Sequence, residues 1–313
     1  MIEILKNLKN NDCNVNFYLI TRNKKDKSDI NIFQTKAEKS VGEYIYDIVI
    51  NQLGEYLNNE DYSKCEYCPI TKYDKFTVEY ISLGELTKLD DFQHLLFSSQ
   101  SHMIFKGNLE ENQELWISLF VFEFTDGTDI RRIIAFQKIR SNKSLNNKKL
   151  FSFNQEKLYK IDNSILSIDE RVDCIFMDEI NQMFIFNKYY FELMFGFEEK
   201  FKAEIQEKLK IFEENDEINS ILDLRKFYKK IENNRNHLKK LYKIIKDDKF
   251  YLLDEENITK IEKKCNIKIE KEEGVIKLSH DNIRKILAML NEDYLESILT
   301  EDSYLTANKI PPK

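Results

Sequence analysis

The stretch RVDCIFMDEINQMFIFNKYYFELMFGFEEKFKAEIQEKL, running from Arg171 to Leu209, decides the fold. Two short apolar runs, Cys174 to Met177 and Met183 to Phe186, are separated by Asp178-Glu179 and Asn181-Gln182, which supply turn chemistry for a hairpin. Asn187 then precedes large residues at Phe191, Met194 and Phe195, and beyond Gly196 at Phe201, Ile205 and Leu209. An amide at the start of a three-to-four-residue period is a helix N-cap signal. Five phenylalanines between Phe184 and Phe197 mark the segment as core, each worth roughly 1.5 to 3 kcal/mol when buried. It accounts for folding and is silent on activity.

Upstream, strands and helices alternate. Val15 to Thr21 and Ile30 to Gln34 are strand candidates around a basic turn, Arg22 to Ser28. Val41 to Leu57 is an expected helix carrying Ile45, Ile48, Val49, Gln52 and Leu53 on one side, followed by a strand at Tyr73 to Leu83 and a short helix at Leu86 to Phe97. The strongest β signal is LWISLFVFEF (Leu115 to Phe124) and IRRIIAFQKI (Ile130 to Ile139) flanking Thr125-Asp126-Gly127-Thr128, since Asp-Gly between two such runs marks a hairpin. Downstream of Ile205 the pattern is helical, with one hairpin expected at Ile267 to Leu278 turning at Glu273-Gly274. A last helix is expected from Asp281 through Tyr294 and Leu295. The predicted class is α+β: a mainly antiparallel sheet with helices in residues 1–165, then a hairpin-plus-helix core segment and a largely helical remainder in 166–313.

Composition narrows the function classes. In 313 residues there are seven glycines and three prolines, and no GxGxxG, GxxxxGK[ST] or GxSxG is present, which disfavours common nucleotide-driven motors and serine hydrolases. No run approaches the roughly 18 apolar residues of a membrane helix, and the opening MIEILKNLKNND lacks the apolar centre of a signal peptide, so a cytosolic protein is expected. The five cysteines are an odd number and are expected to stay reduced. Cys65 and Cys68 form a CxxC, but no second CxxC exists and His94, His102, His237 and His280 show no metal-ligand spacing. The E-x-K triplets Glu198-Glu199-Lys200 and Glu262-Lys263-Lys264 suggest a metal-dependent nuclease only weakly, because both fall on expected helices. No catalytic residue, cofactor or metal ligand is assigned.

Charge distribution says more. Against a net charge of -7, residues Ile130 to Gln155 contain no acid and seven cations: Arg131, Arg132, Lys138, Arg140, Lys143, Lys148 and Lys149. Arg225 to Lys246 holds nine cations and a single Glu232. Read as one helix at 100° per residue, this run puts Phe227, Ile231, Leu238, Leu241 and Ile245 on one side and Arg225, Lys229, Lys240 and Lys243 opposite. Such rows neutralise phosphates and release counterions. The candidate contacts to double-stranded DNA are Arg131, Arg132, Lys143, Lys148, Lys149, Arg225, Lys226, Lys229, Lys230, Arg235, Lys239, Lys240 and Lys243. Base-reading motifs are missing, so binding to the backbone without sequence preference is expected.

The run Ile283 to Ser297, with Leu299-Thr300, Tyr304 and Lys309, resembles the ending of the KwaB-like family of the Kiwa anti-phage system. Asp173 and the segments Phe186-Asn187-Lys188 and Phe191 to Phe195 are similar to that family's strand-then-helix pattern. The resemblance implies that 166–313 is the family domain and that the first half varies. It also implies a protein that forms homodimers, acts at the inner face of the cell membrane with a multi-span partner of the KwaA type, binds phage DNA and obstructs replication and late transcription. No catalytic residues come with it. A metal-dependent nuclease, or a module contacting protein or lipid in the same complex, are the alternatives.

Overall fold

The computed structural model describes residues 14–26, 29–57, 59–73, 75–82, 84, 103–105, 109, 112–126, 129–139, 150–154, 157–161, 168–213, 216–296 and 303–306. The chain forms two compact units, 1–67 with 76–195 and 68–75 with 196–313.

The first unit is built on a nine-stranded sheet. Its strands are β1 (Asn14–Asn23), β2 (Ile30–Thr35), β3 (Ser63–Glu66), β4 (Thr77–Ser82), β5 (Met103–Ile104), β6 (Gln113–Asp126) and β7 (Asp129–Lys138). A separate antiparallel pair, β8 (Leu150–Asn154) with β9 (Lys157–Ile161), precedes β10 (Cys174–Met177) and β11 (Gln182–Ile185). The order is β3-β4-β11-β10-β7-β6-β1-β2-β5, antiparallel throughout except at the two edges, where β3 runs parallel to β4 and β5 to β2. The β6–β7 hairpin pairs in unbroken register from Ile117 opposite Lys138 to Asp126 opposite Asp129, as the Asp-Gly signal predicts. The expected helix at Leu86 to Phe97 lies outside the described residues.

One face of this sheet is closed by α1 (Lys39–Leu57), whose Ile45, Val49 and Leu53 pack with Phe17, Leu19, Phe120, Phe122, Ile133, Ala135, Ile175 and Phe184 in a single cluster. The Phe17 and Phe120 rings stack with centroids 5.2 Å apart. Gln52, on the same helix face, is buried because its amide clamps a backbone: Nε2 donates to the Val172 carbonyl at 3.0 Å and Oε1 accepts from the Val172 N–H at 2.9 Å. On the opposite face Phe136 meets Phe195, which in turn meets Phe191 of α2 (Lys188–Met194). The Asn187 side chain caps α2 by accepting from the Tyr190 N–H. Gly196, at φ 62, turns the chain into α3 (Phe197–Phe212) at a left-handed conformation that glycine adopts without a Cβ clash.

Helices dominate the second unit. After α3 come α4 (Asp216–Ile221), α5 (Leu224–Ile231), α6 (Arg235–Lys246), α7 (Glu255–Cys265) and α8 (His280–Leu290). The hairpin β12 (Lys271–Glu272) with β13 (Val275–Ile276) turns at Glu273 and Gly274, both at positive φ, the geometry a two-residue hairpin connection demands. α3 packs on α6, where the Phe201 and Tyr242 rings lie 4.4 Å apart, and α6 also contacts α8; Leu238 and Leu241 of α6 and Ile283, Ile286 and Leu287 of α8 are buried.

Two expectations change here. The basic run is two helices, because Asn234 leaves the helical path and its side chain accepts from the His237 N–H to start α6 afresh. The last helix stops at Leu290, where Asn291 caps it and Glu292 adopts positive φ. Tyr294 and Leu295 lie instead on β14 (Tyr294–Glu296), paired with β15 (Ser303–Leu305).

Phe120 is fully buried, and its replacement by alanine is expected to lower the unfolding free energy by about 3 to 5 kcal/mol. Gln52→Leu keeps the bulk of the side chain but strands both Val172 backbone groups, for an expected loss of roughly 1 to 3 kcal/mol. Urea titration of the two variants against wild type checks both.

Candidate nucleic-acid interface

The thirteen candidate cations separate by what holds them. Lys143, Lys148 and Lys149 lie outside the described residues. Arg131 and Arg132 are on β7, half-buried within the sheet. Arg132 Nε donates to Glu123 Oε1 at 2.9 Å, and its backbone N–H donates to Asp178 at 2.9 Å. The stretch free of acids in sequence is therefore met by acids in space, Glu123 from the neighbouring strand and Asp178 from the turn after β10. Burial raises the Asp178 carboxyl above its usual range, against the backbone hydrogen bonds and arginines that lower it.

Lys138, counted among the same seven charges, is not a surface cation. β6 carries an extra residue at Trp116, since Ile20 faces Ile117 while Thr21 faces Leu115. This bulge turns the indole toward Lys138, whose Nζ lies 4.0 Å from the ring centre, and Arg22 stacks on the same ring. Lys138 Nζ donates to the Ile139 carbonyl. Burial, with help from the Arg22 guanidinium, pulls its pKa down to about 8 despite Glu114 and Asp173 nearby.

The remaining candidates lie on α5 and α6. On α6, Lys240 reaches Asp293 at 2.5 Å, a carboxylate 2% exposed that Asn291 also bonds, and Lys243 pairs with Asp247 at 2.8 Å. Arg235 and Lys239 are half-buried. On α5, Leu224, Phe227, Tyr228 and Ile231 face the core while Arg225, Lys226, Lys229 and Lys230 are exposed. Arg225 pairs with Glu213 at 2.7 Å and Lys226 with Asp223 at 2.9 Å, both cations about three-quarters exposed. Pairs of that kind contribute about 0 to 1 kcal/mol and exchange readily. Lys229 and Lys230 form no ion pair among the described residues. The structure thus leaves α5 with four accessible cations in two turns, and ties Arg132, Lys138 and Lys240 into the fold.

The other chemical candidates are absorbed locally. Glu198 pairs with Lys202 and Lys200 with Glu204 along α3, and Glu262 of α7 accepts from the Ile269 N–H beyond the end of its helix, so the carboxylates of both triplets have local partners. Cys68 accepts from the Thr71 hydroxyl. Cys174 is buried, and burial pushes its thiol pKa well up. Among the described residues no group of three or more His, Cys, Asp or Glu is placed to hold a metal ion. Nor does any described helix have the length and apolarity to cross a membrane. Sequence reading missed one feature: His237 on α6 and His280 at the start of α8 bring their rings to 6.0 Å. No spacing rule signals this pair, because the two are 43 positions apart.

The lysines sort by stability measurements. Lys138 has a folded pKa below its unfolded value of 10.5, so the folded protein binds fewer protons between the two values and gains stability as pH rises from about 8 toward 10. That alkaline gain, on the order of 2 to 3 kcal/mol, is expected in wild type and absent in Lys138→Met. Lys240→Met, which leaves Asp293 without its ammonium, is expected to cost on the order of 2 kcal/mol, and Lys229→Met to cost nothing measurable.

Comparison with known proteins then places the chain. The family model described as Kiwa protein KwaB-like matches residues 115–300, a range that begins in β6, includes the Asp173 and Asn187 segment and extends past α8 and β14. No curated protein and no solved structure matches. The match spans more than half of the sequence, and the chain belongs to the Kiwa protein KwaB-like family of anti-phage defence proteins.

Proposed function

We propose that this KwaB-like protein acts in Kiwa defence by binding double-stranded DNA through its phosphate backbone, obstructing replication and transcription of phage DNA without breaking it. The observation that carries the reading is the α5 surface: Arg225, Lys226, Lys229 and Lys230 exposed together, with Phe227 and Ile231 anchoring the helix behind them. A row of this kind meets phosphates without reading bases, so affinity falls with salt and varies little with sequence. In a chain of net charge -7, repulsion elsewhere directs the polyanion to this one helix. Lys240 and Lys243, paired with Asp293 and Asp247, are structural cations of the same unit. The Kiwa assignment favours a KwaA-type membrane protein as the partner that brings this chain to the membrane, and a homodimer as the binding unit, which would place two such helices on one duplex.

Reversing Lys226, Lys229 and Lys230 to Glu is expected to abolish retardation of a duplex in a gel at low salt and to leave the melting temperature within about 2 °C of wild type. For wild type, log affinity is expected to fall linearly with log salt. Retention of binding by the reversed variant would sink the assignment to α5. Incubation with magnesium or manganese tests the rest: intact DNA is expected, and metal-dependent shortening would show an enzyme instead.

A further inference from the structure

The second unit holds a cluster of titratable groups that the α5 row does not use. His237 and His280 stand with ring centroids 6.0 Å apart at an angle of 43°. His237 lies in the first turn of α6, seven positions after Lys230, and His280 opens α8, whose Ser279 cap accepts from the Asn282 N–H. Two more cations surround the pair, Lys240 on α6 and exposed Arg284 on α8. The acids in reach are already engaged: Asp293 with Lys240 and Asn291, and Asp281 with Lys285 at 2.5 Å. Nothing in the hydrophobic core calls for two imidazoles to face each other beside Lys240 and Arg284, and mutual repulsion makes the arrangement unfavourable whenever both are protonated.

An anion bound against the edges of both rings reverses that balance. Phosphate oxygens accept from the imidazolium N–H groups, and the N-terminal end of α8 adds a favourable dipole. We infer that His237 and His280, with Arg284, form a proton-dependent phosphate site at the start of α8 and of α6, the helix that follows α5 in the chain, and that this site tightens DNA binding as pH falls. The inference rests on the DNA reading for its biological use, but the site itself takes a phosphate group whatever carries it. In the free protein, burial first, and then His280, Lys240 and Arg284, hold the His237 pKa below its ordinary value. Occupation by phosphate raises it again, so protons and phosphate bind together.

Two measurements on the full chain test this. Histidine C2–H signals are followed by NMR across pH with and without inorganic phosphate at constant ionic strength. The His237 signal is expected to titrate at higher pH when phosphate is present, and an unchanged titration would overturn the site. Anisotropy of a short fluorescein-labelled duplex is then titrated at about pH 6 and about pH 8. Wild type is expected to bind on the order of tenfold tighter at the lower pH, from two charges added beside phosphate. His237→Gln with His280→Gln is expected to flatten that ratio, whereas Lys229→Glu with Lys230→Glu is expected to weaken binding at both pH values and keep the ratio. An unchanged ratio in the double glutamine variant refutes the inference while leaving the α5 reading intact. A wild type that ignores DNA at both pH values removes the DNA reading, and the NMR titration alone then decides the phosphate site.

Discussion

Asp173 is the residue on which the first unit turns. Its backbone N–H donates to the Phe136 carbonyl at 2.8 Å, its carbonyl accepts from the N–H groups of both Phe186 and Asn187 at 2.9 Å, and its carboxylate accepts from the Lys138 N–H at 2.7 Å. Four hydrogen bonds from one residue thereby join the end of β7, the start of β10 and the exit of β11. Each bond alone adds about 1 kcal/mol, but a buried donor or acceptor left without its partner costs more than the bond contributes. Register across the centre of the sheet is consequently held at one end by a single residue, three of whose four bonds are made by its backbone.

Much of this was legible in the sequence. The β6–β7 and β10–β11 hairpins, the capped entry to α2, the glycine break before α3 and the buried face of α1 all follow from local rules of turn chemistry and periodicity, and all are present. Local rules failed where a polar residue outweighed period. Apolar spacing alone carried the basic run through Asn233-Asn234 and the last helix through Asn291-Glu292-Asp293, yet asparagine at both points offers a cap that ends or restarts the helix. Those asparagines were the available signal.

Charge was the least legible property. A run without acids in sequence reads as a bare positive surface, but cross-strand and helix-end neighbours are set by tertiary structure. Glu123 meets Arg132 across a hairpin, and Asp293 meets Lys240 from 53 positions away. Among the described residues, fully exposed cations and sequence expectation coincide on α5, because a short amphipathic helix with its apolar side buried turns its charged side to solvent. The histidine pair shows the converse: residues that look solitary in sequence become a cluster once α6 and α8 pack.

Trp116 is the sole tryptophan of the chain. Because the bulge at that position folds its indole under two cations in the first unit, intrinsic emission excited at the red edge of protein absorbance originates from that unit alone. The helical second unit is spectroscopically dark in the same window, so events confined to it leave the signal untouched. The molecule therefore carries a native optical label that separates the behaviour of its two halves without any engineered probe.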